Sequence, residues 1–460
     1  MTKCKDRLNF LRMAFFMLAF SSGLLWVGGA QAQGGQAVIR DWEIEQMLRQ
    51  WMDPVFQAAQ INSKNVKIII VQSHEMNAFV AGGSNIFIYT GLMEKTETPG
   101  ELIGVLAHEM GHITGGHLIR ARDAMERASY ESIIGTLLGV GAALVTGDAG
   151  AVPSVSLGAG SMARRRLLAH SRVQEASADQ AALSLLEGAK INPTGLASFM
   201  EKLKSEIYMP TDQQSEYVLT HPLVENRIDA IKTRLSKSAY KDKPYPPEWV
   251  EQHARMKAKL MGFIHPERIA WAYNDRDQSI AARYARVVAA YQNNQVDFAL
   301  KQMDVLLAKE PNNPHFLELK GQMLLEFGRK EKALAPYSQA VELQPEAALF
   351  RIGYGHALIE SAAGMKEADA RYRQAIEQLE RALQVETRSS LIHRLLATAY
   401  GRLGQEDLAK VHLAEEAILQ RRLDYARQQA EVVLNRAPEK SKAWLKAKDV
   451  LTFLDSHEKG

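Results

Sequence analysis

A chain of 460 residues has room for two or three domains, each with its own core. It carries 56 Lys and Arg against 53 Asp and Glu, a formal charge of +3. The first 32 residues hold four of those bases and one acid, so the remainder balances at 52 of each. A neutral body sets aside nucleic acid and other polyanions as default partners, and a single cysteine sets aside a disulfide framework.

Residues 1–32 read as a secretory signal. Lys3, Lys5, Arg7 and Arg12 precede an apolar run from Met13 to about Gly28, and Ala30-Gln31-Ala32 offers a small-residue cleavage site. The run is shorter than the roughly 20 residues that span a bilayer comfortably, so cleavage after Ala32 is expected over a retained anchor. Cys4 lies ahead of the run, which leaves the mature chain without cysteine and independent of any redox compartment. Next, Ile39 to Ala59 has the spacing of an amphipathic helix, and Val66 to Val71 and Ile86 to Tyr89 read as strands. An edge strand near residues 85–89 could pair with an extended peptide; a purely structural strand is the equal alternative.

The most informative stretch is His108-Glu109-Met110-Gly111-His112. On a helix its histidines lie four residues apart on one face and can share a zinc ion, and the glutamate between them can act as the base that activates water there. Thr98-Pro99-Gly100-Glu101 sets that helix's start, with a hydroxyl N-cap, proline at the first position and a glutamate placed to close a capping box. Leu102, Val105 and Leu106 form its apolar stripe. Catalytic zinc takes three protein ligands and water, so a third ligand is needed. A metzincin would have Gly at 115, which is present, and His at 118, which is Leu118; His117 is one residue out of register.

Downstream, residues 133–161 form an apolar, glycine-broken stretch too short to cross a membrane. It reads as a lid or plug over the cleft, with peripheral membrane contact as the alternative. Arg164-Arg165-Arg166 reads as a solvated helix start. Glu175 and Asp179 then stand at i and i+4 on one helical face, suited to a zinc ligand and an acceptor for a ligand's imidazole N–H. Proline after His221 places that histidine outside a helix interior, on a segment able to move. It could donate to the oxyanion, or occupy the open zinc position in a resting state.

Beyond about residue 270 helix pairs repeat. Asn294 and Gly328 mark turns 34 residues apart, as do Pro311 and Pro345, with Gly364 and Gly404 continuing less regularly. That is the tetratricopeptide period. Ala299, Ala333 and Ala409 permit close helix contact, and Tyr291, Phe327 and Tyr400 fill turns and grooves. About four units, closed by a tail such as residues 424–438, would stack into a solenoid with a concave protein-binding face.

The segments Asn77-Ala78-Phe79-Val80, Tyr89-Thr90-Gly91-Leu92, Ala107 to His112, Glu175-x-x-x-Asp179 and Thr220-His221-Pro222 with Arg227 occur in an order that resembles the gluzincin peptidases of the HtpX and CAAX prenyl protease family. The resemblance covers residues from about 38 to 235. It implies one Zn2+ per chain held by His108, His112 and Glu175, with Glu109 as general base, Asp179 as the carboxylate behind a ligand, and His221 with Arg227 as a transition-state or gating pair. The expected fold is mainly α: residues 33–269 as a gluzincin metallopeptidase domain with a small β-sheet, and 270–460 as an α-solenoid of tetratricopeptide repeats. The order of signal, peptidase and repeats is similar to that of periplasmic proteases of outer-membrane protein quality control. This implies a metalloendopeptidase of the periplasm, with peripheral attachment to the outer membrane as a further option, whose repeats engage outer-membrane β-barrel proteins and the β-barrel assembly machinery. A chaperone or assembly adaptor with a latent peptidase domain is the alternative.

Overall fold

The computed structural model describes residues 37–117 and 172–458. The expected signal, the 133–161 lid or plug and the Arg164–Arg166 triplet lie outside the described residues. Four strands form one sheet in the order β1 (Ala37–Ile39), β2 (Lys67–Gln72), β4 (Asn85–Tyr89), β3 (Ala78–Ala81). β2 and β4 run parallel, pairing Lys67 with Asn85 and Val71 with Tyr89, and the two outer strands are antiparallel to their neighbours. Alternation sends Ile70, Val80, Ile86 and Ile88 into the main core. Val71, Phe79, Phe87 and Tyr89 form a second apolar layer, where Phe79 and Phe87 stack at 5.1 Å.

Two expectations change here. The strand at 85–89 is internal, paired on both sides; the sheet's edges are β1 and β3, and on β3 Ala78 pairs with Ile88 and Ala81 with Asn85. The helix expected from Ile39 begins only at Trp42, as α1 (Trp42–Ala58). Ile39 is held in β1 opposite Ile70, and Asp41 caps α1 by accepting from the Ile44 N–H at 3.0 Å.

After the short α2 (Thr90–Lys95), helix α3 (Pro99–Thr114) carries the two-histidine motif through the core. Thr98 caps it as expected, accepting from Glu101 N–H. The Glu101 carboxylate reaches one residue further back than a capping box requires, to the Glu97 N–H at 2.7 Å, and also meets Lys202 and Ser198. α3 is flanked by α4 (Arg172–Gly188) and α5 (Thr194–Lys202) at backbone distance. A Cβ on Gly104 would stand 2.7 Å from Leu196 N, and one on Gly111 would stand 2.5 Å from Ala178 O. These glycines let the three helices close on one another. α6 (Glu216–Thr220), α7 (Glu225–Leu235) and α8 (Pro247–Ile264) complete this half.

The repeats follow as α9 (Ile280–Gln292), α10 (Val296–Lys309), α11 (Pro314–Glu326), α12 (Lys330–Leu343), α13 (Ala348–Ala362), α14 (Asp369–Leu383), α15 (Ser390–Arg402), α16 (Glu406–Leu419), α17 (Leu423–Arg436) and α18 (Lys442–Glu458). Asn294, Gly328, Gly364 and Gly404 all take positive φ, between 56° and 87°, at the turns inside the first four pairs. Arg421 (φ 59°) marks another such turn only 17 residues after Gly404, so α16 is followed closely by α17, and α18 closes the array. Among the described residues no helix is long and apolar enough to cross a membrane.

The peptidase half and the repeats share apolar and charged contacts. Trp42 of α1 packs edge-on against Phe350 of α13 and, with Phe263 of α8, joins the repeat core. Glu43 accepts from Arg255, Lys259 and the Tyr284 hydroxyl, while Arg40 pairs with Glu386 at 2.6 Å. Burial opposes the Glu43 charge, but Lys259 and Arg255 outweigh it and hold the carboxyl far below its ordinary range.

Candidate metal centre

α3 places His108 and His112 one turn apart with their Nε2 atoms 3.1 Å from each other. Glu175 comes from α4 and straddles the pair, with Oε2 3.3 Å from His108 Nε2 and Oε1 3.2 Å from His112 Nε2. For an ion bound tetrahedrally at about 2.0–2.1 Å, neighbouring ligands lie about 3.3 Å apart, so these three donors fit a zinc-sized cation. Protons alone fit them less well, since two imidazole nitrogens and a carboxylate converge on one point. All three side chains are wholly buried. His221, following α6, contributes a fourth donor, and the four ligand atoms lie within 4.8 Å of one another.

The surrounding contacts orient these donors. Asp179 Oδ1 takes the far side of His108, 2.9 Å from Nδ1. Arg227 of α7 grips Asp179 through Nε (2.7 Å) and Nη2 (2.9 Å), stands 2.8 Å from Glu175 Oε2, and donates through Nη1 to Pro222 O at 2.9 Å. It therefore links both carboxylates to the segment that bears His221. His221 is not exposed on a loose loop: its backbone leaves the helix at φ −120°, ψ 77°, its ring lies tilted against Tyr217 with centroids 4.6 Å apart, Nδ1 lies 3.2 Å from Glu175 Oε1, and Nε2 lies 3.0 Å from Ala78 O of β3. Asn77 ties the same segment to β3 by accepting from Thr220 Oγ1 at 3.2 Å.

Glu109 is wholly buried beside these donors. His221 Nε2 faces Oε1 at 3.6 Å. Burial pushes the Glu109 carboxyl up to about 7, against the pull of His221 and His108. Burial works against the His108 charge, yet Glu175 and Asp179 prevail and push it up to about 10; Glu175 itself is held well below the carboxylate range by His221 and His108 despite its burial. The set is thus a preformed cluster of convergent donors, its carboxylates charged, beside a carboxyl able to hold or release a proton near neutrality.

All seven residues picked from the sequence converge here. His117, out of register for a metzincin ligand, was passed over, yet its Nδ1 lies 3.0 Å from His112 Nδ1. It stands behind the His112 ring as Asp179 stands behind that of His108, and its position next to the motif was the available signal. Tyr217 and the Ala78 carbonyl were also missed. The family segments around Asn77 and Thr220 pointed to their neighbourhood and not to their contacts.

A helix-borne histidine pair, a glutamate between them and a converging carboxylate from a following helix define a metallopeptidase-type site. The chain belongs to peptidase family M48, whose model matches residues 42–235, and a tetratricopeptide repeat model matches residues 284–348. It is 30% identical over 183 residues to the metalloprotease LoiP of Escherichia coli (strain K12), covering 39% of this chain and 67% of that one. To the beta-barrel assembly-enhancing protease of the same organism it is 25% identical over 331 residues, covering 69% of this chain and 66% of that protein's length. The protein of that name from Yersinia pestis is 24% identical over 326 residues, covering 68% and 66%.

Proposed function

We propose that this chain is a zinc-dependent metalloendopeptidase of the periplasm that degrades outer-membrane β-barrel proteins misassembled or stalled in assembly. In this reading the repeats bring those proteins, and the β-barrel assembly machinery, to the site and assist assembly. The observation that carries the catalytic part is the triangle of His108 Nε2, His112 Nε2 and the Glu175 carboxylate, with edges of 3.1–3.3 Å, beside the buried Glu109. The relatives named for β-barrel assembly support the substrate class, and the basic-then-apolar N-terminal sequence supports export.

His108, His112 and Glu175 would hold the zinc, which when bound supplies Lewis acidity and a more acidic water. Glu109 takes the proton from the attacking water and returns it to the departing amine; a carboxyl poised near neutrality suits both transfers. Asp179 and Arg227 fix the His108 ring and the Glu175 carboxylate. A chaperone or adaptor with a latent peptidase is the second reading, favoured by the complete burial of Glu109 and by the position of His221 among the donors.

The test compares casein degradation and metal content. Glu109→Gln is expected to abolish cleavage and keep the metal, and His108→Ala or Glu175→Ala to lower the content by one ion per chain. Cleavage surviving in folded Glu109→Gln protein would reject the mechanism.

A further inference from the structure

A second group of convergent donors lies about 300 residues along the chain, in the repeats. His393 projects from α15, and His412 and Glu415 from one face of α16. The two Nδ1 atoms are 3.1 Å apart, and Glu415 Oε2 stands 3.1 Å from His393 Nδ1 and 2.9 Å from His412 Nδ1. Both imidazoles are buried, at 5% and 1% exposure.

Protons cannot satisfy that triangle. If one Nδ1–H donates to the other ring, the accepting nitrogen is left facing the Glu415 oxygen lone pair to lone pair; if both donate to Glu415, two N–H groups are pressed together at 3.1 Å. One edge is repulsive in either arrangement. The buried His412 Nε2, on the far side of that ring, has no hydrogen-bond partner. A cation at the centre turns all three lone pairs into bonds. The edges of 2.9–3.1 Å resemble the 3.1–3.3 Å among His108, His112 and Glu175. There Arg227 steadies the carboxylate; here Lys446 of α18 lies 3.1 Å from Glu415 Oε1 and leaves Oε2 turned to the histidines. Tyr400 lies flat on His412, its ring 5.6 Å away at 6°.

We propose that the repeat domain binds a divalent transition-metal ion of the zinc class through His393 Nδ1, His412 Nδ1 and Glu415 Oε2. Two imidazoles and one carboxylate suit that class and offer too few oxygens for calcium or magnesium. The side chain of Glu415 is 24% exposed, which leaves a route for the ion and for a water as fourth ligand. The ion staples α15 to α16 in the fourth helix pair of the array, so it is structural and separate from peptide cleavage.

The experiment uses the untagged full chain, stripped with chelator and titrated with zinc or with cobalt(II). With His108→Ala and His112→Ala present to remove the other donor set, about one ion per chain should still bind, with the visible absorption of low-coordinate cobalt and a higher Tm. Adding His412→Gln or Glu415→Gln should remove that ion. If the doubly substituted chain folds poorly, Glu415→Gln alone in the wild-type background gives the same answer: metal content falls from about two ions per chain to one, with casein cleavage unchanged. A wild-type content of one that Glu415→Gln leaves unaltered, or a His108→Ala, His112→Ala chain that folds and binds nothing at micromolar zinc, overturns the proposal. Neither result bears on Glu109 and cleavage, so the two readings fail independently.

Discussion

Gly111 is where the helix of the two-histidine motif closes on the helix that bears Glu175, and Gly111→Ala changes none of the donor side chains. The added Cβ would stand 2.5 Å from Ala178 O and 2.9 Å from Ala178 Cα, where ordinary contacts are 3.4–4 Å. Both obstacles are backbone, so no side chain can swing aside, and α3 and α4 must part by most of an ångström. Glu175 sits one turn before Ala178 on α4 and moves with it. Overpacking of this kind costs about 1–3 kcal/mol. Placed on ligand geometry, that is roughly a 5- to 150-fold weaker hold on the metal, at about 1.4 kcal/mol per decade. The assay is the zinc concentration that restores half-maximal casein cleavage to chelator-stripped protein, with circular dichroism to confirm folding. Gly401→Ala is the control, since its Cβ meets only Ala409 Cβ at 3.9 Å, and it should match wild type. A folded Gly111→Ala protein with wild-type half-activation would show that this approach does not set the Glu175 position.

Ending the chain at residue 269 should give a less stable, association-prone protein, because Trp42 and Phe263 lose their cover, Glu43 loses Tyr284, and Arg255 loses Glu310. A monomer with the Tm of the full chain would refute this. In metal-free protein, Glu109 has a folded-state pKa raised from 4.5 to about 7, chiefly by burial, so its contribution to stability is present below 4.5 and lost as pH rises through 7. The loss is at most about 3 kcal/mol at about 1.4 kcal/mol per pH unit. Glu109→Gln should therefore flatten the Tm–pH curve between 4.5 and 7 in calorimetry of the stripped protein; an unchanged slope would contradict it.

Much of the site was legible because its chemistry is periodic. His108 and His112, like Glu175 and Asp179, are i, i+4 pairs, and a helix puts such pairs on one face whatever surrounds it. The repeat turns were legible for a similar reason: positive φ selects Asn or Gly, and Asn294, Gly328, Gly364 and Gly404 stand where the 34-residue rhythm weakens or holds. The sheet order was not. β2 and β4 look alike in sequence, and only the pairing of β3 on the far side of β4 makes residues 85–89 internal. Nor was the junction between the two halves, which depends on Trp42 and Glu43 at the start of an otherwise ordinary amphipathic helix. The His393, His412 and Glu415 group escaped notice because its donors are split between two helices, 19 and 3 residues apart, with no local spacing to betray them.

His221 divides the two roles a histidine can play at such a site. The Ala78 carbonyl can only accept, so the 3.0 Å contact calls for an N–H at His221 Nε2, while Nδ1 lies 3.2 Å from Glu175 Oε1 and faces the candidate metal donors. A backbone carbonyl on the remote nitrogen is the arrangement by which ligating histidines are commonly held. An oxyanion donor would need its N–H turned to the substrate, and here that proton is already engaged by β3. The expected role is therefore that of a histidine occupying the open metal position at rest, held there by the Ala78 contact and the Tyr217 ring. His221→Ala is expected to retain the zinc and to raise basal cleavage of casein. Cleavage lowered by about 10²- to 10³-fold with zinc retained, the usual cost of one lost oxyanion donor, would assign His221 to the transition state instead.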